Sequence, residues 1–381
     1  MKKFNKTVSV ALSAAMIAGV FATTAQAEDT FKIGAIGPMT GAAAVYGNAV
    51  MNAAQIAVDE INEAGGVNGV MLEFNPQDDE HDAEKSVNAY NTLKDWGMQM
   101  LLGTVTSAPC IAVEAEAVND NMFLLTPSGT AVECISGDNA FRVCFADPSQ
   151  GTESAKFIGE NGLAEKVGVI YDSSDVYSSG IYGAFQAEAA NQPFEIVSAE
   201  AFTADSKTDF SVQLQKAKDA GADLVYLPFY YNEISLVLKQ AADMDFAPKW
   251  FGVDGMDGIL SVEGFDTSLA EGVMLLTPFS ATAEDEKTQS FVAKYQEQFG
   301  EVPNQFGADA YDGVYILKAA LEAAEATPDM DASTLCDLLK EKMQEITFDG
   351  ITGQGITWGA DGEPIKAPIA VVIKDGAYEF M

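Results

Sequence analysis

Apolar runs of five to seven residues recur along the chain, at 31–37, 71–75, 99–103, 122–126, 167–171, 223–228, 249–253, 272–277 and 369–374. They lack the polar alternation of a half-exposed strand, so they read as strands buried on both faces. Stretches of helical period separate them, at 49–64, 82–97, 110–121, 151–161, 178–191, 209–220, 232–244, 284–299 and 306–326. Within 49–64 the apolar Val50, Ala53, Ala54, Ala57 and Ile61 follow i, i+3, i+4 spacing, and Gly65-Gly66 ends the run. Strand and helix alternating in this way predict α/β architecture with parallel sheets. Nine or more strands in 381 residues exceed one ordinary core and suit two doubly wound, Rossmann-like lobes. Phe145-Ala146-Asp147-Pro148 and Leu276-Thr277-Pro278 are the expected crossings between them. No short-period repeat or low-complexity stretch interrupts the pattern.

The first 27 residues have a different design. Lys2, Lys3 and Lys6 precede an apolar stretch from Val8 to Ala22, and Ala25-Gln26-Ala27 stands before Glu28. This is the pattern of a cleaved secretory signal peptide, and the apolar run is short of the roughly 20 residues that span a bilayer. No Cys follows the cleavage point, so a soluble periplasmic protein without a lipid anchor is expected. Lys plus Arg number 21 against 57 Asp plus Glu, a net charge of −36. Loss of the leader's three Lys takes −36 to −39. Such acidity argues against nucleic acid and anionic membrane surfaces as partners.

Enzyme motifs are missing. There is no phosphate-cradling GxxxxGK[ST], no GxGxxG after a strand and no GxSxG, and the sole histidine, His81, would have to serve as any imidazole base. His81 lies in Asp78-Asp79-Glu80-His81-Asp82, which reads as a solvated acidic loop before a helix rather than a metal site. Asp254-Gly255-Met256-Asp257-Gly258 lacks the twelfth-position Glu of a calcium loop, with Phe265 there instead. No cofactor or metal is expected. Cys110, Cys134, Cys144 and Cys336 allow three full pairings. A Cys110–Cys134 disulfide is favoured over Cys134–Cys144, because both residues follow consecutive strands on one sheet edge.

Ligands of open parallel sheets bind beyond the carboxyl ends of the strands. Those ends are rich here in hydroxyls and aromatics. Ser107 and Thr130, each at a strand-to-helix turn, are either joint donors to a carboxylate or simple helix N-caps. Asp254 is either an acceptor for a ligand ammonium or a turn residue. Tyr177 and Tyr230 are either core or the walls of an apolar pocket.

In this order, several segments resemble the periplasmic branched-chain amino-acid-binding proteins, the type I substrate-binding proteins of ABC importers. They are Ile33-Gly34-Ala35-Ile36-Gly37-Pro38-Met39-Thr40-Gly41 with Tyr46-Gly47, residues 57–69 (Ala-Val-Asp-Glu-Ile-Asn-Glu-Ala-Gly-Gly-Val-Asn-Gly), and Thr126-Pro127-Ser128-Gly129-Thr130. Phe141-Arg142-Val143 with Gln150-Gly151, Asp209-Phe210-Ser211 and Thr357-Trp358 complete the set. The resemblance implies two lobes closing on a ligand, joined by three crossing strands, with 28–146 plus 278–358 in one and 147–277 plus 359–381 in the other. It implies that hydroxyls and backbone amides at Ser107, Ser128, Gly129 and Thr130 hold an α-carboxylate, that Asp254 meets the ammonium, and that Tyr46, Tyr177, Tyr230 and Phe306 surround the side chain. Asp254 stands where the best-known members have Glu, one methylene longer, and Leu227-Pro228-Phe229 is bulkier than usual. The implied function is capture of leucine, isoleucine or valine by a monomer that delivers it to a membrane ABC permease, without catalysis. A sensor of the same fold, a binder of another small acid, amide or aromatic compound, and an exported hydrolase are the alternatives.

Overall fold

The computed structural model describes residues 29–381, so the leader expected over 1–27 lies outside the described residues. Five strands, β1 (Phe31–Gly37), β2 (Leu72–Asp78), β3 (Met100–Gly103), β4 (Phe123–Thr126) and β5 (Ala140–Arg142), form a wholly parallel sheet in the order β2-β1-β3-β4-β5. Parallel pairing requires crossover helices, which cover both faces and explain why β3, β4 and β5 are buried throughout. These crossovers are α1 (Ala44–Glu63), α2 (Ala83–Trp96) and α3 (Ser107–Asp120).

The second sheet repeats the device. Strands β6 (Lys166–Asp172), β7 (Glu195–Phe202), β8 (Leu224–Leu227), β9 (Lys249–Gly252) and β10 (Met274–Thr277) lie in the order β10-β9-β8-β6-β7. Helices α4 (Asp147–Glu160), α5 (Val176–Ala189), α6 (Ser211–Asp219) and α7 (Tyr231–Asp243) flank it. The chain then returns, and α8 (Glu286–Phe299), α9 (Gln305–Ala323) and α10 (Ala332–Met343) follow, with α9 on α1 and α10 on β4. A two-stranded ribbon, β11 (Thr357–Trp358) with β12 (Pro364–Ile365), leads to β13 (Ile369–Lys374) and β14 (Ala377–Phe380), which extend the second sheet by antiparallel pairing on β10.

Both sheets thus share the doubly wound order in which the first strand has its neighbours on opposite sides. Helices leave in opposite directions there, opening a crevice at the strands' carboxyl ends. The two crevices, after β1/β3 and after β6/β8, position the site.

The nine expected strand segments all form strands. Five strands were not expected: β5, β7, β11, β12 and β14. Edge strand β7 alternates in burial, and β11 and β12 have two residues each, so none carries an apolar run. Helix α10 was also missed, although Leu335, Cys336, Leu339 and Met343 share its buried face.

Candidate functional site: the cleft between the sheets

Residues from the carboxyl ends of both sheets line one cavity. On the first sheet's side, β3 is followed by Thr104-Val105-Thr106, and α3 begins at Ser107. Thr106 holds the N-cap position in extended conformation but makes no side-chain cap bond. Ser107 Oγ instead accepts the Ala131 N–H at 3.2 Å and lies 3.3 Å from Thr130 Oγ1. Neither Ser107 nor Thr130 holds an N-cap position, which falls to Thr106 for α3 and Ala146 for α4. Ser128 Oγ donates to the Val105 carbonyl at 2.8 Å, tying the loop after β4 to the loop after β3.

Arg142, fully buried on β5, supports this wall. Its guanidinium donates to the carbonyls of Gly129 (3.1 Å), Thr130 (2.5 Å) and Ala131 (3.0 Å) and pairs with Glu363 at 3.2 Å. Gly129, expected at the ligand, has its N–H donated to Thr126 Oγ1 at 2.7 Å. A Cβ there would come within 2.8 Å of Cys110 Sγ, so the position requires close packing. The expected Cys110–Cys134 disulfide is corrected. Both cysteines are free and buried in one small cluster with Ala131, Cys110 Sγ directed at the Cys134 carbonyl (3.9 Å) and Cys134 Sγ at that of Ser107 (3.7 Å). The strand-end reasoning located the pair: the two thiols lie side by side, unbonded, and each also reaches a backbone carbonyl.

The opposite wall belongs to the second sheet. Asp254, two residues after β9 and 8% exposed, accepts the Tyr177 hydroxyl at 2.5 Å and the Gly255 N–H at 2.8 Å through Oδ1. Its own N–H is held by Gln150 Oε1 at 3.1 Å. Burial pushes the carboxyl up to about 6, against the lowering effect of the Tyr177, Gly255 and Gln150 hydrogen bonds. Tyr177 stacks on Tyr230, with centroids 4.9 Å apart and planes 10° from parallel. Tyr46 meets that pair from the first sheet's side at 5.8 Å and touches Phe306 at 4.5 Å. Gly47 lets α1 start this close to the β1 loop, since a Cβ would lie 1.9 Å from the Pro38 carbonyl oxygen.

The cavity thus contains Tyr46, Ser107, Ser128, Thr130, Tyr177, Tyr230, Asp254 and Phe306 together with Val105, Thr106 and Gly255. No residue lining it is cationic. The space between these side chains is narrow, about 240 Å³ including its opening to solvent. The walls are shut. Contacts across them include the Tyr46 hydroxyl on the Gly255 carbonyl, Tyr231 Oη on the Ala42 carbonyl (2.9 Å) and the Gln305 N–H on Asp257 Oδ2 (2.8 Å).

Three neighbours escaped the sequence reading. Thr106 carried no signal beyond being another hydroxyl. Gln150 stood out only as part of a resembling segment. His81 is not a solvated loop residue: its Nδ1 lies 2.8 Å from Thr106 Oγ1 and its ring meets Tyr230 edge-on at 5.6 Å. Burial lowers its pKa. Among the described residues, no group of acids, His and Cys is arranged to hold a metal ion, and no helix is long and apolar enough to cross a membrane.

Residues 30–377 match the model of a family described as periplasmic binding protein. The chain belongs to that family. It is 30% identical to the leucine-, isoleucine-, valine-, threonine- and alanine-binding protein of Pseudomonas aeruginosa over 338 residues, 88% of this chain and 89% of that one. The branched-chain amino-acid transporter substrate-binding protein LivJ of Streptococcus pneumoniae, crystallised with isoleucine, superposes with a TM-score of 0.83 at 29% identity, covering 92% of this chain and 98% of its own. The leucine-binding protein LivK of Thermotoga maritima gives a TM-score of 0.81 at 27% identity, with coverages of 92% and 98%. These family members have the type I binding-protein fold, in agreement with the two doubly wound sheets.

Proposed function

We propose that this chain is the extracytoplasmic solute-binding protein of an ABC importer, capturing an aliphatic amino acid, leucine, isoleucine or valine, and delivering it to the membrane permease without catalysis. One observation supports the reading above all: a buried carboxylate, Asp254, lines a cleft whose lining contains no cation, together with the hydroxyl residues Ser107, Ser128 and Thr130 at the start of α3 and the loop after β4. An unpaired buried charge is costly, so the arrangement is complementary to a ligand that brings its own ammonium. In the first turn of α3 Pro109 has no N–H, and the N–H groups of Ser107 and Ala108 have no intrahelical partner; with the Ser107 and Thr130 hydroxyls they suit a carboxylate. Tyr46, Tyr177, Tyr230 and Phe306 then enclose a short apolar side chain.

The lobes would be 28–146 plus 278–358 and 147–277 plus 359–381, and they must part to admit a ligand. A ligand touching both walls stabilises the shut form by its differential affinity, and the permease reads that form. Cleavage of the leader, residence in the periplasm and a monomeric state belong to the same proposal. Calorimetry on protein unfolded and refolded to strip bound solute tests it. Leucine, isoleucine or valine should bind, while 4-methylpentanoate, leucine's skeleton without the ammonium, should not. Absence of binding by all three amino acids, or equal binding of the acid, overturns the reading.

A further inference from the structure

The acidic turn between β2 and α2 carries its histidine back into the molecule. Asp78 Oδ1 accepts the N–H groups of Met39 at 2.8 Å and Glu80 at 2.9 Å, and Asp79 Oδ1 accepts that of His81 at 2.9 Å. Glu80 and His81 both take positive φ, +51° and +61°, a left-handed backbone that residues with side chains adopt only where the surroundings enforce it. The first two acids of the turn are thus spent on shaping its backbone, and the histidine that follows lies partly buried behind the cleft.

There the imidazole touches a residue of each wall. Its Nδ1 is hydrogen-bonded to Thr106 Oγ1 at 2.8 Å, and Thr106, 4% exposed, makes no side-chain bond to the N-terminus of α3. The histidine is therefore the anchor of that hydroxyl. Across the cleft the ring meets Tyr230 with centroids 5.6 Å apart and planes 82° from parallel, an edge-to-face geometry that aromatic pairs favour. Tyr230 is stacked on Tyr177, whose hydroxyl holds Asp254. Thr106, Tyr230, Tyr177 and Asp254 all line the cavity.

The two contacts differ in when they exist. His81 and Thr106 belong to loops of one sheet, so their bond persists whether or not the walls have parted. Tyr230 comes with the other sheet, so its contact with His81 exists only in the shut form. Such a contact lowers the free energy of that form alone, and a ligand leaves only through the parted one. We propose that His81 is a positioning residue of the shut cleft: anchored on Thr106, its ring buttresses Tyr230 and slows release of the ligand. This rests on the amino-acid-binding reading above, in which the walls part to admit the ligand. Capture begins with the walls apart, where His81 and Tyr230 do not meet, so association should be indifferent to the ring.

Stopped-flow fluorescence with leucine, on the full chain refolded to free it of bound solute, tests the proposal together with nuclear magnetic resonance of the chain's single histidine. His81→Asn is the decisive variant, because Asn tolerates the left-handed backbone and places an amide where Nδ1 stood. It keeps the turn and the bond to Thr106 and removes only the ring. Leucine release should become about fivefold faster, the worth of one aromatic pair, with the association rate within about twofold of wild type. A role confined to the turn would leave both rates unchanged. In the wild type, leucine should shift the ring-proton signals of His81, because the Tyr230 ring arrives beside them on closure. Unchanged release in His81→Asn, or association slowed as much as release is speeded, overturns the proposal, and so do ring signals that ignore leucine. Should His81→Asn fail to fold, the wild-type signals still decide. A wild type that binds no branched-chain amino acid overturns the functional reading, whereas binding together with any of the contrary results overturns only the role of His81.

Discussion

The two walls of the cleft rest on the same strand order but hold their polar groups differently. On the first sheet's side, short hydroxyls at Ser107, Ser128 and Thr130 are tied to one another and to backbone, and Arg142 fastens the loop from behind. That wall is neutral and internally satisfied. On the second sheet's side a single carboxylate, Asp254, carries charge into the interior with only Tyr177, Gly255 and Gln150 to support it. On the proposed function, its missing partner is the ligand's ammonium. The contrast separates a wall that orients a ligand from one whose energy depends on it, and it predicts unequal responses to substitution.

The largest effect should come from Asp254→Ala. Removing one partner of a buried ion pair costs about 3–5 kcal/mol, so leucine binding should fall by at least a hundredfold in calorimetry. The empty protein should respond in the opposite sense. Asp254 has a raised pKa in the fold, so its contribution favours the folded state at low pH and is lost as pH rises from the unfolded carboxyl range through about 6. Asp254→Asn should therefore stabilise the ligand-free protein at pH 7 by up to about 3 kcal/mol, read as a higher thermal midpoint. A variant that loses both binding and stability would show that Asp254 belongs to the scaffold.

The same carboxyl predicts a pH dependence. Below about 6 it carries a proton that a ligand ammonium must displace. Leucine affinity should be level above that pH and fall toward about tenfold per unit below it. Asp254→Asn should abolish the slope. An unchanged affinity at pH 5 in the wild type would break the contrast between a charged and a neutral wall.

Much of this was legible before any coordinates, and unevenly so. The strands buried on both faces announce themselves as uninterrupted apolar runs, and the carboxyl-end rule then selects Ser107, Thr130, Tyr177, Tyr230 and Asp254 from the loops that follow. What stayed hidden depends on contacts between distant segments. His81 sits in a run of acids that reads as solvated, yet the turn between β2 and α2 carries it 2.8 Å from Thr106. Gly129 lies between two cavity residues, but the loop turns its N–H back to Thr126. Strand-end logic placed Cys110 beside Cys134 without indicating where each Sγ points. Helix α10 was lost because its buried face is short and flanked by Lys340 and Lys342.

Between the walls, Tyr46 is one of the links. Its hydroxyl donates to the Gly255 carbonyl and accepts the Tyr231 N–H at 3.3 Å, both across the cleft. Tyr46→Phe keeps the ring against Phe306 and removes only these bonds. The shut form should lose about 1–2 kcal/mol, weakening leucine roughly tenfold, with a larger radius of gyration by small-angle scattering in the absence of ligand. Unchanged scattering together with unchanged affinity would mean that the aromatic packing alone holds the cleft.

Ser107→Ala should have the smallest effect, and the reason lies in how the neutral wall is built. The substitution removes one hydroxyl donor and leaves the Ala131 N–H without its acceptor. The α3 N–H groups, Thr130 and the Arg142 anchor remain, so a ligand carboxylate keeps most of its donors. A single neutral hydrogen bond of this kind contributes about 1 kcal/mol, which corresponds to roughly a fivefold loss of leucine affinity by calorimetry. Leucinamide, whose amide group asks less of the donors, should lose less than leucine does. If Ser107→Ala instead approaches the loss caused by Asp254→Ala, the carboxylate end is as decisive as the ammonium end, and the division into an orienting wall and a ligand-dependent wall is wrong.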